Sequence, residues 1–107
     1  SALDREHLGS IFDKFLGDIH ERAINEAGVP LLIKVSTEAK SWIIERGTDP
    51  RFGARPLRRA METEIVDPLS RLITSHKVAP GDVVEVDLEG AALSFYRGRR
   101  SVRSLAA

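Results

Sequence analysis

Cysteine is absent from the 107-residue sequence, which excludes a disulfide framework and any thiolate metal site. No run of about 18 apolar residues is present, so the sequence predicts no transmembrane helix and no membrane partner. No charged leader precedes an apolar stretch, as a secretion signal would require. A chain without thiols fits a reducing cytosol, and we expect a cytoplasmic protein. The composition, 42% hydrophobic and 30% charged, is typical of one globular domain.

Signatures of catalysis are also missing. The sequence has no Gly-x-x-x-x-Gly-Lys-Ser/Thr phosphate loop, no strand ending in paired carboxylates for magnesium, and no nucleophile elbow. Its histidines, His7, His20 and His76, lack the spacing of metal ligands and are predicted to lie at the surface. We therefore predict no catalytic residue, no metal site and no self-contained enzyme.

The net charge is zero, but the charges are unevenly distributed. Residues 1–96 contain 12 basic and 16 acidic residues, a net charge of −4, and residues 97–107 carry four arginines and no acid. A body of this sign argues against broad binding of a nucleic-acid backbone, which needs a basic face. We predict one domain over residues 1–96 and a basic, flexible tail over residues 97–107.

Hydrophobic spacing predicts three main helices. The first is predicted from an N-cap at Asp4 to a left-handed stop at Gly28. The second is predicted to begin after a Ser36 cap and to end at Gly47. The third begins near Pro56 and is interrupted by Pro68.

Proline in a helix interior removes a hydrogen bond and clashes with the preceding turn. We therefore expect a kink or break near Asp67, which could cap the second half of the third helix. A branched apolar run at 31–35 predicts a strand. Alternating residues at 84–88 and 93–95, after a Pro-Gly turn, predict a C-terminal hairpin. The predicted class is α+β, with the three helices packed on a small sheet of one strand plus the hairpin.

The loop from Gly47 to Arg59 is the feature on which a functional prediction rests. If Pro56 is the first helical residue, Arg55 lies at a helix N-terminus. Exposed N–H groups and the positive end of the helix dipole attract anions there, and a guanidinium adds a forked phosphate ligand. The residues alone predict a phosphate-binding arginine, with a surface salt bridge as the alternative.

Residues 48–59 read Thr-Asp-Pro-Arg-Phe-Gly-Ala-Arg-Pro-Leu-Arg-Arg. This run resembles the sensor-2 motif of Clp-family AAA+ ATPases, written Gly-x-Asp-Pro-x-Tyr/Phe-Gly-Ala-Arg-Pro-Leu. Residues 36–47, 64–69 and 80–87 resemble the flanking helices and closing hairpin of the same family. The resemblance covers residues 3–96 and is to the C-terminal small (lid) subdomain of the second ATPase module in ClpB-, ClpC- and ClpA-like proteins.

The resemblance implies a role for Arg55 as the sensor-2 arginine, which contacts the β and γ phosphates of ATP. Magnesium would be held by the large subdomain of the parent protein. The implied partners are that large subdomain, neighbouring subunits of a homohexamer, and the protein substrates that the ring unfolds. Rotation of the small subdomain would couple ATP hydrolysis to substrate threading.

The other loop residues are expected to support Arg55. Asp49 and Pro50 are predicted to shape the loop, with Asp49 accepting hydrogen bonds from backbone N–H groups. Gly53 is predicted to supply a special backbone angle or a close approach to nucleotide. Phe52 is interpreted as a packing anchor rather than an adenine stacker. Ala54 and Pro56 complete the supporting loop.

Arg58 and Arg59 are candidates for contacts with a neighbouring subunit, for pairing with Glu62, or for a solvated surface. Two alternative functions stay open. One is a stand-alone adaptor or assembly domain without an ATPase partner. The other is a small nucleic-acid-binding module using Arg55, Arg58, Arg59 and the tail, which the acidic body disfavours. Because the sequence starts with Ser-Ala rather than Met, we expect a piece of a longer protein.

Overall fold

The protein is described here by a computed structural model that covers residues 5–49, 51–98 and 100–101. Helices and strands mix along the chain, which confirms the predicted α+β class. Their bounds are α1 (Arg5–Asn25), β1 (Leu32–Val35), α2 (Thr37–Arg46), α3 (Arg55–Met61), a π-helical segment (Glu62–Val66), α4 (Asp67–Thr74), β2 (Val83–Glu89), β3 (Ala92–Arg97) and β4 (Arg100–Ser101). None of the helices in the described part of the chain is long and apolar enough to cross a membrane.

The strands form one four-stranded sheet in the order β1-β2-β3-β4. β1 and β2 are parallel, with Ile33 opposite Val84, and the helices from α2 to α4 supply the crossover that a parallel pair requires. β2 and β3 form the predicted antiparallel hairpin, which closes at Glu89 opposite Ala92. The predicted single strand plus hairpin is therefore confirmed, and they share one sheet.

The strands extend beyond Tyr96, where we expected the domain to end. Arg97 belongs to β3, and its Nη1 donates a hydrogen bond of 2.9 Å to the carbonyl oxygen of Lys77. The short strand β4 then pairs with β3, placing Ser101 opposite Tyr96. Arg99 and residues 102–107, the remainder of the predicted flexible tail, lie outside the described residues.

The core lies between the helices and the sheet. α2 packs on both β2 and α3, and α1 packs on α2 and α3. Alternate residues of β2 are buried, as expected for a strand with one covered face. The largest fully buried apolar side chains are Phe12, Ile43, Leu57, Met61, Ile65, Leu72, Val84 and Val86.

The predicted helix ends are largely confirmed. The Ser36 hydroxyl accepts a hydrogen bond of 3.1 Å from the N–H of Ala39, which makes Ser36 the N-cap of α2. Gly28 has φ +66, the left-handed conformation expected of it, although α1 itself ends at Asn25. Asp4, the predicted cap of α1, lies outside the described residues.

Near Asp67, where the sequence predicts a kink or a break, the third helix contains a π-helical segment. The chain does not break there: it passes from α3 through the π-helical segment into α4, and the N–H of Asp67 bonds to the carbonyl of Glu62, five residues earlier. The predicted capping role of Asp67 is wrong, because its φ of −62° and ψ of −49° are helical. A wider turn directly before proline fits the chemistry, since an α-helical turn would press the ring against the preceding carbonyl.

α4 ends in a left-handed turn at a residue that is not glycine. His76 has φ +61, the only positive φ among the described non-glycine residues. Its N–H bonds to Ile73 O, and the next N–H, of Lys77, bonds to Leu72 O at 2.9 Å. This pair of bonds is a Schellman motif, in which glycine is the preferred residue at the position of His76.

His20 is not a free surface residue, contrary to the prediction for the three histidines. It is half-buried on α1, and its Nε2 accepts a hydrogen bond of 2.9 Å from the N–H of Ile33 in β1. The N–H groups of Leu32 and Ser36 point the other way, toward β2, and bond to Asp82 O and Val86 O. His20 therefore caps the open edge of β1 and ties it to α1.

Candidate functional site

The loop between α2 and α3 is organised by Asp49. Its carbonyl oxygen accepts hydrogen bonds from the N–H groups of Phe52 (3.1 Å) and Gly53 (3.0 Å), and its Oδ1 accepts one from the N–H of Arg51 (2.8 Å). Asp49 therefore binds backbone N–H groups as predicted. Gly53 has φ +64, so the predicted special backbone angle is also confirmed. Pro50 lies outside the described residues.

Arg51 is tied back onto this turn. Its Nε and Nη2 lie 3.3 and 3.2 Å from the two carboxylate oxygens of Asp49, a forked ion pair. The Arg51 side chain, and then its backbone N–H, hold the pKa of Asp49 below its ordinary value. Because the pair is closed within the loop, the charge of Arg51 is balanced there.

α3 begins at Arg55, one residue earlier than predicted, with Ala54 as N-cap and Pro56 in the second position. Pro56 lacks an N–H group, and none is needed in the first turn. The next residue, Leu57, is fully buried, and its N–H bonds to Ala54 O at 3.0 Å. The sequence thus places an exposed arginine two residues before Leu57, which fixes the helix to the core.

Gly47 sets the position of α3. It is buried and has φ −97, so a positive φ does not explain why glycine occurs there. A Cβ built on Gly47 would lie 2.6 Å from Leu57 Cα, closer than real Cβ contacts, and a tight 3.1 Å from Leu57 N. The end of α2 and the start of α3 therefore meet backbone to backbone, and this contact determines where Arg55 lies.

Phe52, Arg55, Pro56 and Arg59 line an open groove of about 260 Å³. Phe52 is 54% exposed, so its interpretation as a packing anchor is wrong for the core of this chain: the Asp49 turn places it at the surface. The guanidinium carbon of Arg51 lies 5.1 Å from the Phe52 ring centroid. The groove combines an apolar wall with two guanidinium groups.

Five arginines lie between the end of α2 and the middle of α3. Three of them are paired with carboxylates of the same chain: Arg46 with Glu64 at 3.8 Å, Arg51 with Asp49 at 3.2 Å, and Arg58 with Asp18 at 3.8 Å. The guanidinium of Arg58 also lies over the Phe15 ring, 4.3 Å from its centroid. Arg58 is thus held against α1.

The remaining two, Arg55 and Arg59, have no carboxylate partner within the described ranges. The predicted pairing of Arg58 or Arg59 with Glu62 is wrong, because Glu62 pairs with Arg22 of α1. The hydrogen bond from Arg22 to Glu62 raises the pKa of Arg22 above its ordinary value. The unbalanced positive charge of this surface is therefore concentrated in the groove.

This arrangement can bind a polyanion. Arginine offers forked donors for phosphate or carboxylate oxygens, and an adjacent aromatic ring limits the access of water on one side. Within the described part of the chain, no group of three or more His, Asp or Glu residues could hold a metal ion. The groove therefore offers two guanidinium groups and an apolar wall to an anion.

Sequence reasoning missed one contact that shapes the site, at Gly47, and one that caps the edge of β1, at His20. Gly47 ends α2 as predicted, but its close contact with Leu57 has no local signal because the two are ten positions apart in the sequence. His20 was interpreted as a surface residue, although its position on the apolar side of α1, one residue after the buried Ile19, was a usable signal.

Known proteins match this chain over most of its length. A sequence model of the family described as "C-terminal, D2-small domain, of ClpB protein" matches residues 3–86. The probable chaperone protein ClpB 1 of Chlorobaculum tepidum is 37% identical over 93 residues, which are 87% of this chain and 20% of that protein. The chaperone protein ClpB of Corynebacterium glutamicum is 42% identical over 86 residues, 80% of this chain and 10% of that protein.

A third relative, the chaperone protein ClpB of Streptomyces albus G, is 38% identical over 87 residues, which are 81% of this chain and 10% of that protein. The chain therefore spans only 10–20% of the length of these relatives. The matched region contains α1 to α4, the groove and most of β2. The chain belongs to the family of C-terminal, D2-small domains of ClpB, which confirms the resemblance to Clp-family small subdomains predicted from its sequence.

Proposed function

We propose that this chain is the nucleotide-sensing small subdomain of an ATP-driven protein unfoldase or disaggregase, and that Arg55 is its sensor-2 arginine. The observation that carries the proposal is the state of Arg55: it is exposed at the start of α3, lines the groove, and has no carboxylate partner among the described residues. The neighbouring Arg51 is also exposed but is paired with Asp49. An arginine left unpaired beside a paired one is available for a ligand from outside the chain.

Arg55 fits the polyphosphate of ATP. ATP, when bound, supplies a chain of phosphate oxygens that accepts forked, charge-assisted hydrogen bonds, each worth about 1.5–3 kcal/mol when well placed. If Arg55 makes one such bond in the ATP state and loses it with ADP, the balance between two domain arrangements shifts roughly tenfold or more. Lysine would replace this poorly, because its ammonium is a point charge.

The packing around α3 provides a route for coupling. Leu57 follows Arg55 by two residues, is fully buried, and meets Gly47 at the end of α2. α2 in turn packs on β2. If Arg55 moves when its phosphate contact is made or lost, the helices and the sheet would therefore move with it as one body. This packing supports rotation of the whole subdomain.

The groove supplies only part of a nucleotide site. Its volume of about 260 Å³ is below the roughly 300–1,000 Å³ usual for small-molecule sites, and it is open to one side. The phosphate loop, magnesium ligands and hydrolytic water would come from the large subdomain of the parent protein. We expect the isolated chain to hydrolyse no ATP and to bind it weakly or not at all.

The parent is proposed to act in the cytoplasm as a homohexameric ring on protein substrates. Contacts with neighbouring subunits would include exposed apolar residues such as Ile24 and Leu32, which are 52% and 49% exposed. Rotation of this subdomain would pass to the next subunit through such contacts.

The proposal is tested in the full-length protein, in a background whose first ATPase module has lost its phosphate-loop lysine. Arg55→Ala is compared with Arg51→Ala, its matched control in the same loop. We expect Arg55→Ala to reduce ATP hydrolysis, or unfolding per ATP, by about tenfold or more, and Arg51→Ala to have a much smaller effect. Equal rates in wild type and Arg55→Ala would contradict the sensor role.

A further inference from the structure

Arg59 shares the groove with Arg55. The two arginines are four residues apart on α3, so they lie on one face of the helix, separated by about 6 Å along its axis. Both side chains line the groove, and both are exposed. Two like charges at this spacing repel each other on a helix. The arrangement therefore leaves an unfavourable pair of cations in one place.

The chain balances its other arginines in this region. Arg46, Arg51 and Arg58 each have a carboxylate within 4 Å, whereas Arg55 and Arg59 have none among the described residues. Arg58 and Arg59 are adjacent in sequence, yet only Arg58 is held by Asp18 and Phe15. Two unbalanced guanidinium groups in one groove indicate a ligand with more than one negative charge.

We propose that Arg59 is a second phosphate ligand of the nucleotide site, binding the same polyphosphate chain as Arg55. This inference rests on the proposed function and deepens it: the subdomain contributes two guanidinium groups to ATP and not one. Two long side chains whose stems start about 6 Å apart can converge on adjacent phosphate groups. The resting repulsion between them is relieved when the polyanion is present.

The apolar wall of the groove favours a bound phosphate, rather than solvent alone, as the partner of the two arginines. Phe52 and Pro56 line the groove beside the two arginines, and a low-dielectric wall strengthens an ion pair next to it. A carboxylate of a neighbouring subunit could use the same donors. The test separates these two ligands, because only the phosphate predicts a change in nucleotide affinity that depends on the number of phosphates.

The test uses the full-length protein, in the background without the phosphate-loop lysine of the first ATPase module. Affinities for a non-hydrolysable ATP analogue, ADP and adenosine are measured by titration for Arg55→Ala, Arg59→Ala, Arg59→Lys and the matched control Arg58→Ala. We expect Arg59→Ala to lower the affinity for the triphosphate about tenfold or more and to leave the affinity for adenosine unchanged. Arg59→Lys should give an intermediate triphosphate affinity. Arg58→Ala is expected to bind all three as wild type does.

If Arg59→Ala binds the triphosphate as tightly as wild type, the inference about Arg59 is overturned. If Arg55→Ala binds the triphosphate more weakly in the same titration, the proposed function stands even though the inference about Arg59 fails. A ring that dissociates on Arg59→Ala with unchanged triphosphate affinity identifies a subunit contact and also overturns it. If Arg59→Ala has a lower triphosphate affinity and Arg55→Ala does not, the phosphate contact of Arg59 is supported and the sensor assignment of Arg55 fails. Thermal melting of each variant shows that the exposed substitutions leave the fold intact.

Discussion

Gly47 and Leu57 are in backbone contact, and this contact joins the end of α2 to the start of α3. A Cβ on Gly47 would lie 2.6 Å from Leu57 Cα, a distance that the surrounding core cannot absorb without movement. Arg55 lies two residues before Leu57 on the same helix. The glycine therefore acts on the site from a distance, by fixing the helix that carries the arginine.

The first prediction concerns this contact. Gly47→Ala is expected to destabilise the protein by about 1–3 kcal/mol, because the added methyl group forces α2 and α3 apart. Gly17→Ala is the matched control: nothing lies within 4 Å of a Cβ at that exposed position of α1, and we expect stabilisation by about 0.5–1 kcal/mol. Urea unfolding measures both changes. Equal stability of Gly47→Ala and wild type would contradict the packing account.

The second prediction concerns the edge of β1. His20→Phe keeps an aromatic ring but removes the acceptor of the Ile33 N–H. We therefore expect the free energy of unfolding to fall by about 1 kcal/mol and hydrogen exchange at the Ile33 amide to become faster. Lys14→Ala changes an exposed residue of the same helix, and its free energy of unfolding should stay within about 0.5 kcal/mol of that of wild type. Unchanged exchange at Ile33 in His20→Phe would show that the histidine does not cap the strand.

The third prediction concerns the end of α4. His76→Gly is expected to stabilise the protein by about 0.5–1 kcal/mol, because glycine adopts φ near +61 without strain. His76→Ala removes the same side chain but keeps a Cβ at this φ, so it should give no gain. Melting temperatures of the two variants distinguish relief of strain from loss of the imidazole. A stabilised alanine variant would contradict the explanation by backbone strain.

The fourth prediction concerns pH. The Asp49 pKa is lower in the folded protein than in the unfolded chain, where it is about 3.9. Its ion pair with Arg51 therefore contributes stability above about pH 4, and this contribution is lost as pH falls through the folded pKa. The difference in melting temperature between wild type and Asp49→Asn should be present at pH 7 and shrink below about pH 4. A difference that is constant across this range would mean that the carboxylate charge has no part in the loop.

The elements predicted best are those whose signals are local. The Ser36 cap, the left-handed Gly28, the Asp49 turn and the hairpin each depend on residues only a few positions apart. Short-range chemistry determines such features before tertiary packing acts.

The features missed depend on contacts across the chain. The sequence predicts a kink or a break near Asp67, but the form of the distortion, a wider π-helical turn in a chain that stays helical through Pro68, has no pattern of its own. Strand β4 exists only by pairing with β3 and shows no alternation of its own. Phe52 could have faced the core or solvent on sequence grounds alone, and the turn held by Asp49 settles it.

The central claim is that Arg55 binds nucleotide phosphate. The most direct measurement is a structure of the full-length protein with a non-hydrolysable ATP analogue in the second ATPase module. The account predicts a guanidinium nitrogen of Arg55 within hydrogen-bonding distance, about 2.7–3.2 Å, of a phosphate oxygen. An Arg55 side chain paired instead with a carboxylate, or extended into solvent beside a fully bound nucleotide, would contradict it.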